Sequence, residues 1–266
     1  YTSANALISI ILNRKMWASD IGYMNDSREG RVAKDILEDL IRKRQEFQKP
    51  LDDYVRGFID WFLNSGRATF ATSFSDSGQK NLTLFRTYGP ADGGYNIGFP
   101  EDYLKSIPKV TFVKCVYDLE LQRREVTDFF KNLIEVISDI RKQESNPIEA
   151  RKVLSQNTDL WHQFAALNAR FKPSEFESES ESRICFYGVK KENVRYRASA
   201  RGNVIIPYIE VELPNEPIEV AVNLGPNTNH GMALSSYQRL TDTATSSGCN
   251  WKFRNGGGVN SSFRFI

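Results

Sequence analysis

The stretch Phe176-Glu-Ser-Glu-Ser-Glu-Ser-Arg-Ile-Cys-Phe-Tyr187 marks the place where the patterning of the chain changes. Before it, residues 119–143 and 147–167 carry apolar side chains at helical spacing. From Glu181 onward the pattern has a period of two, which is typical of β-strands. The change predicts helices and sheet built largely from separate segments of the chain, as in α+β proteins.

Working outward from that stretch, apolar spacing and turn residues predict further elements on both sides. Helices are expected at residues 4–12, 29–48, 51–63, 82–88, 119–143, 147–167 and 232–241. Strands are expected at 16–18, 68–73, 95–99, 110–117, 181–187, 204–212, 218–224, 251–254 and 262–265. We therefore predict one α+β domain over residues 1–266, with a central, mainly antiparallel sheet and a helical insertion or subdomain at about 119–168.

The composition argues against several classes of protein. Of the 266 residues, 40% are hydrophobic and 26% are charged, and the net charge is only +2. Overall electrostatic attraction to nucleic acid or to anionic lipid is therefore not expected. The longest apolar run, Ala6–Leu12, is far shorter than the roughly 20 residues that a membrane-spanning helix needs.

The positions of the cysteines and histidines bear on the cellular compartment and on metal binding. Cys115, Cys185 and Cys249 are scattered along the chain, which argues against a disulfide framework and for the cytoplasm. The two histidines, His162 and His230, have no partner at the spacing of metal ligands. We therefore expect a cytoplasmic protein without a metal site.

The first candidate site is the alternating Glu and Ser stretch. If the strand begins near Glu179, the side chains of Glu179, Glu181 and Arg183 share one face, with neighbours about 7 Å apart. Carboxylates beside an arginine on a sheet face are a common catalytic arrangement. They are also typical of solvated edge strands, where charge discourages aggregation. The residues alone slightly favour the edge strand.

Two weaker patterns remain. Ser73 and Ser75 point the same way at a strand end and could orient a polar ligand, although such residues usually serve turns. Residues 190–201 place five basic side chains around Tyr196. That run could bind a phosphate backbone or a dinucleotide, but the near-neutral net charge favours a solvated hairpin.

Two common catalytic motifs are absent from the sequence. No nucleotide-binding glycine loop or nucleophile elbow is present, which argues against kinases, ATPases and serine hydrolases.

Nine short motifs follow one another in a fixed order: Tyr1-Thr2-Ser3, Asn25-Asp26 with Glu29, Ser73-Phe74-Ser75, Leu82-x-Leu84-Phe85-x-x-Tyr88, Gly94-Tyr-Asn-Ile-Gly-Phe99, Glu179-x-Glu181-x-Arg183, Ile206-Pro207-Tyr208, Gly225-Pro226 and Ser262-Phe-Arg264. Their order and spacing together resemble a large bacterial family known only as domain of unknown function 2971. The resemblance covers nearly the whole chain.

That family is in turn remotely similar to the ADP-ribosyltransferases, which bind NAD in the cleft of a split, mainly antiparallel sheet. The resemblance implies that Ser73-x-Ser75 matches their middle-strand element and Glu179-x-Glu181 their late glutamates. It implies Glu181 and Glu179 as the catalytic residues. The residues that it implies for NAD binding are Tyr1, Ser73, Ser75, Phe85, Tyr88 and Arg183.

The function that the resemblance implies is an NAD-dependent ADP-ribosyltransferase or NAD glycohydrolase, acting as an anti-phage defence effector or a toxin. NAD would be its substrate, with a protein or a nucleic acid as acceptor. Two alternatives stay open. One is a non-catalytic module that binds nucleic acid or a nucleotide through residues 190–201. The other is a regulatory subunit of a bacterial defence system, which would present helices 29–48 and 119–143 to a partner.

Overall fold

A computed structural model describes residues 1–24, 30–47, 53–64, 68–76, 81–90, 93–199, 202–226 and 229–258, with side chains described except at 45–47 and 255–258. The strand expected at 262–265 lies outside the described residues, as do the motifs Asn25-Asp26 with Glu29 and Ser262-Phe-Arg264.

The described chain contains helices and strands in mixed order. Its α-helices are α1 (Ala4–Asn13), α2 (Val32–Phe47), α3 (Asp53–Asn64), α4 (Leu82–Tyr88), α5 (Glu101–Ser106), α6 (Leu119–Gln143), α7 (Pro147–Gln156), α8 (Thr158–Arg170) and α9 (His230–Ser246). Its strands are β1 (Lys15–Asp20), β2 (Phe70–Ser75), β3 (Tyr95–Gly98), β4 (Thr111–Lys114), β5 (Glu181–Phe186), β6 (Arg195–Ala198), β7 (Ile205–Glu212), β8 (Glu219–Leu224) and β9 (Lys252–Gly258).

The strands form two sheets. Six strands follow the order β4-β5-β2-β1-β7-β6, and three follow the order β3-β8-β9. The pairs β1 with β2, β6 with β7 and β3 with β8 are antiparallel, whereas β8 and β9 are parallel. The prediction of an α+β fold with a mainly antiparallel sheet is confirmed.

The chain divides into two compact units, each made of several segments. The first unit comprises residues 1–18, 74–112 and 209–266, and the second comprises 19–73 and 113–208. Both units are discontinuous in sequence.

The second unit has a core of five helices. Along α6 the buried apolar side chains recur every three or four residues, so one face of the helix is apolar. This face packs with α2, α3, α7 and α8 into one cluster, in which the Phe62 and Trp161 rings stack with centroids 3.9 Å apart. Burying a side chain as large as Phe62 contributes about 1.5–3 kcal/mol.

The first unit packs helices and aromatic side chains with the smaller sheet. The hydroxyl of Ser3 accepts a hydrogen bond from the Ala6 amide and caps α1. Near β9, the side chains of Tyr103 and Trp251 both donate to the Pro214 carbonyl. These two aromatic residues are therefore buried with their polar atoms satisfied.

The helix expected at 147–167 is two helices, α7 and α8, because Asn157 lies between them. The backbone of Asn157 ends α7, and its side-chain oxygen accepts a hydrogen bond from the Leu160 amide, 3.0 Å away, to begin α8. Apolar side chains continue at helical spacing through this point, so periodicity alone does not reveal the break. The sequence analysis also missed α5, a helix of six residues without a side-chain N-cap.

Replacing Asn157 with alanine is expected to lower the free energy of unfolding by about 1 kcal/mol, because the first amides of α8 lose their cap. Urea denaturation of the wild type and of Asn157→Ala measures this difference. An unchanged midpoint would mean that water replaces the side chain without cost.

Candidate functional site

Strand β5 carries the glutamate-rich stretch into the interior of its sheet. It lies between β4 and β2, and all six of its residues are buried. The interpretation of this stretch as a solvated edge strand is therefore wrong. A charged side chain in such a strand needs a partner of opposite charge, because burying an unpaired charge is costly.

Glu179 does not lie on this strand, which corrects the expectation that it shares a strand face with Glu181 and Arg183. A 3₁₀ helix, Ser174–Glu179, ends at Glu179, and Ser180 then adopts a left-handed conformation with φ 46°. The strand begins only at Glu181. The turn at Ser180 therefore interrupts the period-two pattern that the alternating Glu and Ser residues suggest.

Lys172 brings the two glutamates together despite this turn. Its ammonium nitrogen lies 2.6 Å from a carboxylate oxygen of Glu179 and 2.5 Å from one of Glu181. The side chain of Lys172 is only 3% exposed, and that of Glu181 is 5% exposed. One buried ammonium thus bridges two carboxylates.

Arg183 completes the group from the other side of Glu181. Its Nε donates to the second carboxylate oxygen of Glu181 at 2.5 Å, and its Nη1 donates to the Ala169 carbonyl at 3.0 Å. The guanidinium is fully buried. These contacts of Arg183 are all with the protein, and its implied role in NAD binding stays a prediction. We call Lys172, Glu179, Glu181 and Arg183 the carboxylate cluster; it carries two positive and two negative charges.

Backbone hydrogen bonds hold the cluster in place. The Glu181 amide donates to the Tyr117 hydroxyl at 2.9 Å, and the Cys115 amide donates to the Glu181 carbonyl at 2.8 Å. The side-chain amide of the buried Gln122 donates to the Lys172 carbonyl at 2.9 Å. Glu181 and Lys172 are thus tied at the main chain as well as through their side chains, which limits their freedom to move apart.

The surroundings keep Glu181 ionised. Burial alone would raise the pKa of this carboxyl, but the charges and hydrogen bonds of Arg183 and Lys172 outweigh burial, so its pKa lies below the usual value of 4.5. Burial raises the pKa of the neighbouring Tyr117 to about 12. At neutral pH the site therefore presents a charged carboxylate beside a protonated phenol.

The lowered pKa of Glu181 predicts how stability depends on pH. Because the unfolded chain binds this proton more tightly than the folded chain, the cluster stabilises the fold fully above about pH 4.5 and progressively less below it. Thermal melts of the wild type and of Glu181→Gln from pH 7 to pH 3 are expected to converge as the pH falls below 4.5. A difference in melting temperature that stays constant over this range would contradict the prediction.

The other residues implied for NAD binding lie in two places. Ser73 is exposed on β2, the strand next to β5, and Ser75, half-buried, belongs to the first unit. Tyr1, Phe85 and Tyr88 also belong to the first unit.

Within the first unit, the rings of Tyr1 and Phe85 meet edge to face, with centroids 4.7 Å apart. The Tyr1 hydroxyl accepts a hydrogen bond from the Asn81 amide. Phe85 is buried, whereas Tyr88 is 39% exposed. The structure therefore brings Tyr1 together with Phe85 in one unit, and Glu179 together with Glu181 and Arg183 in the other.

Lys172, the residue that joins the two glutamates, could not be recognised from the sequence. It lies seven positions before Glu179 and directly after α8 and Phe171, in a segment without regular spacing. Its backbone position comes from a parallel bridge between Phe171 and Val116, residues far apart in sequence. The one available signal was the requirement that a buried glutamate have a cation nearby.

Comparison with known proteins finds a match to one family over the middle of the chain. A family model described as "Protein of unknown function (DUF2971)" matches residues 84–184. The resemblance to the DUF2971 family is confirmed. The matched segment includes Phe85, Tyr88 and the whole carboxylate cluster. Neither the curated proteins nor the solved structures contain a match.

Two features are absent from the described residues. No helix in these parts of the chain is both long enough and apolar enough to cross a membrane. Within the same ranges, no three or more His, Cys, Asp or Glu side chains are grouped so that they could hold a metal ion.

Proposed function

We propose that this protein cleaves the nicotinamide–ribose bond of NAD, as an ADP-ribosyltransferase or an NAD glycohydrolase. The observation that carries the proposal is the carboxylate cluster, in which the ionised Glu181 is fixed on a central strand with Glu179 beside it. The strand that carries Ser73 is adjacent to the strand of Glu181. The resemblance to ADP-ribosyltransferases that the sequence motifs imply points to the same chemistry.

The reaction needs a negative charge near the ribose. When the bond between the nicotinamide nitrogen and C1′ breaks, its electron pair leaves with nicotinamide, and positive charge develops on C1′ and the ring oxygen. Water or an acceptor hydroxyl then bonds to C1′ and loses a proton. A preorganised carboxylate stabilises the positive charge without reorienting during the reaction.

Each member of the cluster has a role in this scheme. Glu181 would hydrogen-bond the ribose and stabilise the charge at C1′, since a carboxylate offers about four lone-pair positions and Lys172 and Arg183 occupy two of them. Glu179, whose side chain is 15% exposed, is the more accessible glutamate and would receive the proton of the attacking group. Arg183 and Lys172 act as positioning residues that keep Glu181 ionised.

The residues outside the cluster keep the roles that the resemblance implies. Ser73, on the strand beside β5, would orient the ribose. The resemblance alone implies Tyr1, Ser75, Phe85 and Tyr88, which belong to the first unit, for NAD binding, with the ring of Phe85 or Tyr88 against nicotinamide. The biological setting that we propose is a cytoplasmic bacterial defence effector or toxin.

The test is nicotinamide release from NAD by the purified protein, followed by chromatography. The assay is run without an acceptor, with nucleic acid and with a cell extract, because the acceptor determines whether hydrolysis or transfer is seen. Release above the rate of a heat-inactivated sample is the expected result. A folded protein that releases no nicotinamide under any of these conditions would overturn the proposal.

A further inference from the structure

Strand β6 forms the end of the six-stranded order and presents one face to solvent. It pairs in antiparallel fashion with β7, with Tyr196 opposite Pro207 and Ala198 opposite Ile205. Directly opposed residues in a pair of strands place their side chains on the same face. Tyr196, Ala198, Ile205 and Pro207 therefore form one patch, which we call the hairpin face.

The hairpin face is apolar and exposed. Tyr196 is 67% exposed and Ile205 is 69% exposed. The opposite face of the same two strands is largely packed, since Ile206 and Tyr208 are buried there. An aromatic ring and an aliphatic side chain exposed side by side are expensive to leave in water, and such patches commonly mark binding sites.

The segment of sequence that contains β6 is rich in positive charge. Residues 190–201 contain five basic residues and one acidic residue, a net charge of +4, while the whole chain carries only +2. Lys190 and Lys191, just before β6, are exposed, whereas Arg195 and Arg197 are paired with Tyr208 and Ile206 and so lie on the face opposite Tyr196. The two lysines are therefore the basic residues that the hairpin face can use.

We infer that the hairpin of β6 and β7 binds single-stranded nucleic acid. A base would stack on the ring of Tyr196, and the ammonium groups of Lys190 and Lys191 would meet the neighbouring phosphates. Exposed aromatic rings flanked by basic side chains on a sheet surface are the combination that single-stranded nucleic acid requires. This site is separate in sequence from the carboxylate cluster, and the inference does not rest on the cleavage of NAD.

The local chemistry favours a single strand over a duplex. In a duplex the bases are stacked on one another, so the Tyr196 ring would have no base face to contact. An acidic protein segment would pair with the two lysines, but it would gain little from the Tyr196 ring. Stacking therefore distinguishes nucleic acid from a merely acidic partner.

The test measures binding of a fluorescein-labelled 12-nucleotide oligo-uridine and of the matching oligo-deoxythymidine by fluorescence anisotropy. Tyr196→Ala is expected to weaken binding by about 5- to 150-fold, the usual effect of losing one stacked base. Lys191→Ala is expected to lower the slope of log affinity against log salt by about 0.7, the value for one single-strand phosphate contact. Circular dichroism verifies that each variant is folded.

Matched controls come from the same unit. Tyr23→Ala removes an aromatic side chain that is 47% exposed, and Lys142→Ala removes an exposed lysine, so neither should change the affinity. Absence of salt-dependent binding, equal weakening by Tyr23→Ala, or tighter binding of a duplex would each overturn the inference. Capture of an acidic peptide that Tyr196→Ala leaves unaffected would reassign the patch to a protein partner.

Discussion

The Glu181→Gln variant is expected to release nicotinamide about 100- to 1000-fold more slowly than the wild type, the usual effect of losing one preorganised charge-stabilising group. Glutamine has nearly the same shape as glutamate and still forms hydrogen bonds. What it lacks is the negative charge that offsets the positive charge at C1′. The reaction rate at saturating NAD isolates this effect from any change in substrate affinity.

The same substitution also disturbs the balance of charges in the cluster. In the variant Lys172 retains Glu179 and Arg183 retains the Ala169 carbonyl, but the four side chains of the cluster now carry a net charge of +1 instead of zero. The fold is therefore expected to be less stable, and the rate must be measured where circular dichroism reports a folded variant. Under those conditions, a rate equal to that of the wild type would assign Glu181 a purely structural role.

Glu177→Gln is the matched control for this experiment. Glu177 lies in the same alternating stretch, and its side chain is exposed rather than buried. Its loss should change neither the rate nor the stability, because no member of the carboxylate cluster depends on it. The comparison also separates functions that the sequence alone could not assign, since Glu177, Glu179 and Glu181 look alike in the alternating pattern.

Much of the fold could be predicted because it depends on local patterning. The bounds of α6 agree with the expectation at both ends, since its apolar face repeats over 25 residues and Asp118 caps its first turn. Ser3 caps the first turn of α1, as Asp118 does for α6. Periodicity did not reveal the break at Asn157, because a residue that caps a helix also occurs in polar positions along helices.

The candidate site was harder to predict because it depends on tertiary contacts. An alternating run of Glu and Ser looks the same on an edge strand and on a central strand. What decides between them is Lys172, which supplies the cation that a buried Glu181 requires. The left-handed turn at Ser180 likewise has no signal in the sequence, since serine rarely adopts that conformation. The sequence therefore identifies Glu179 and Glu181 as candidates, but it does not reveal that a turn separates them or that Lys172 joins them.

The second large effect concerns Arg183, whose replacement by methionine is expected to lower the free energy of unfolding by about 3–5 kcal/mol at pH 7. Methionine fills similar space, so the loss is electrostatic rather than steric. The variant leaves two carboxylates with Lys172 as their remaining cation in the cluster. Urea denaturation measures the change, and Lys142→Met, at an exposed ion pair, should alter stability by less than about 0.5 kcal/mol.

Two further measurements establish that the loss in Arg183→Met comes from Glu181. The destabilisation should shrink as the pH falls below about 4.5. Below that pH the glutamate is protonated in the unfolded chain, and in the folded variant Glu181 also binds a proton readily. The charge that Arg183 would have neutralised is then absent from both states of the variant. Adding Glu181→Leu to Arg183→Met should recover part of the lost stability, because both charges of the pair are then absent. Additive losses in the double variant would mean that the two side chains stabilise the fold independently, and that Arg183 does not position the carboxylate.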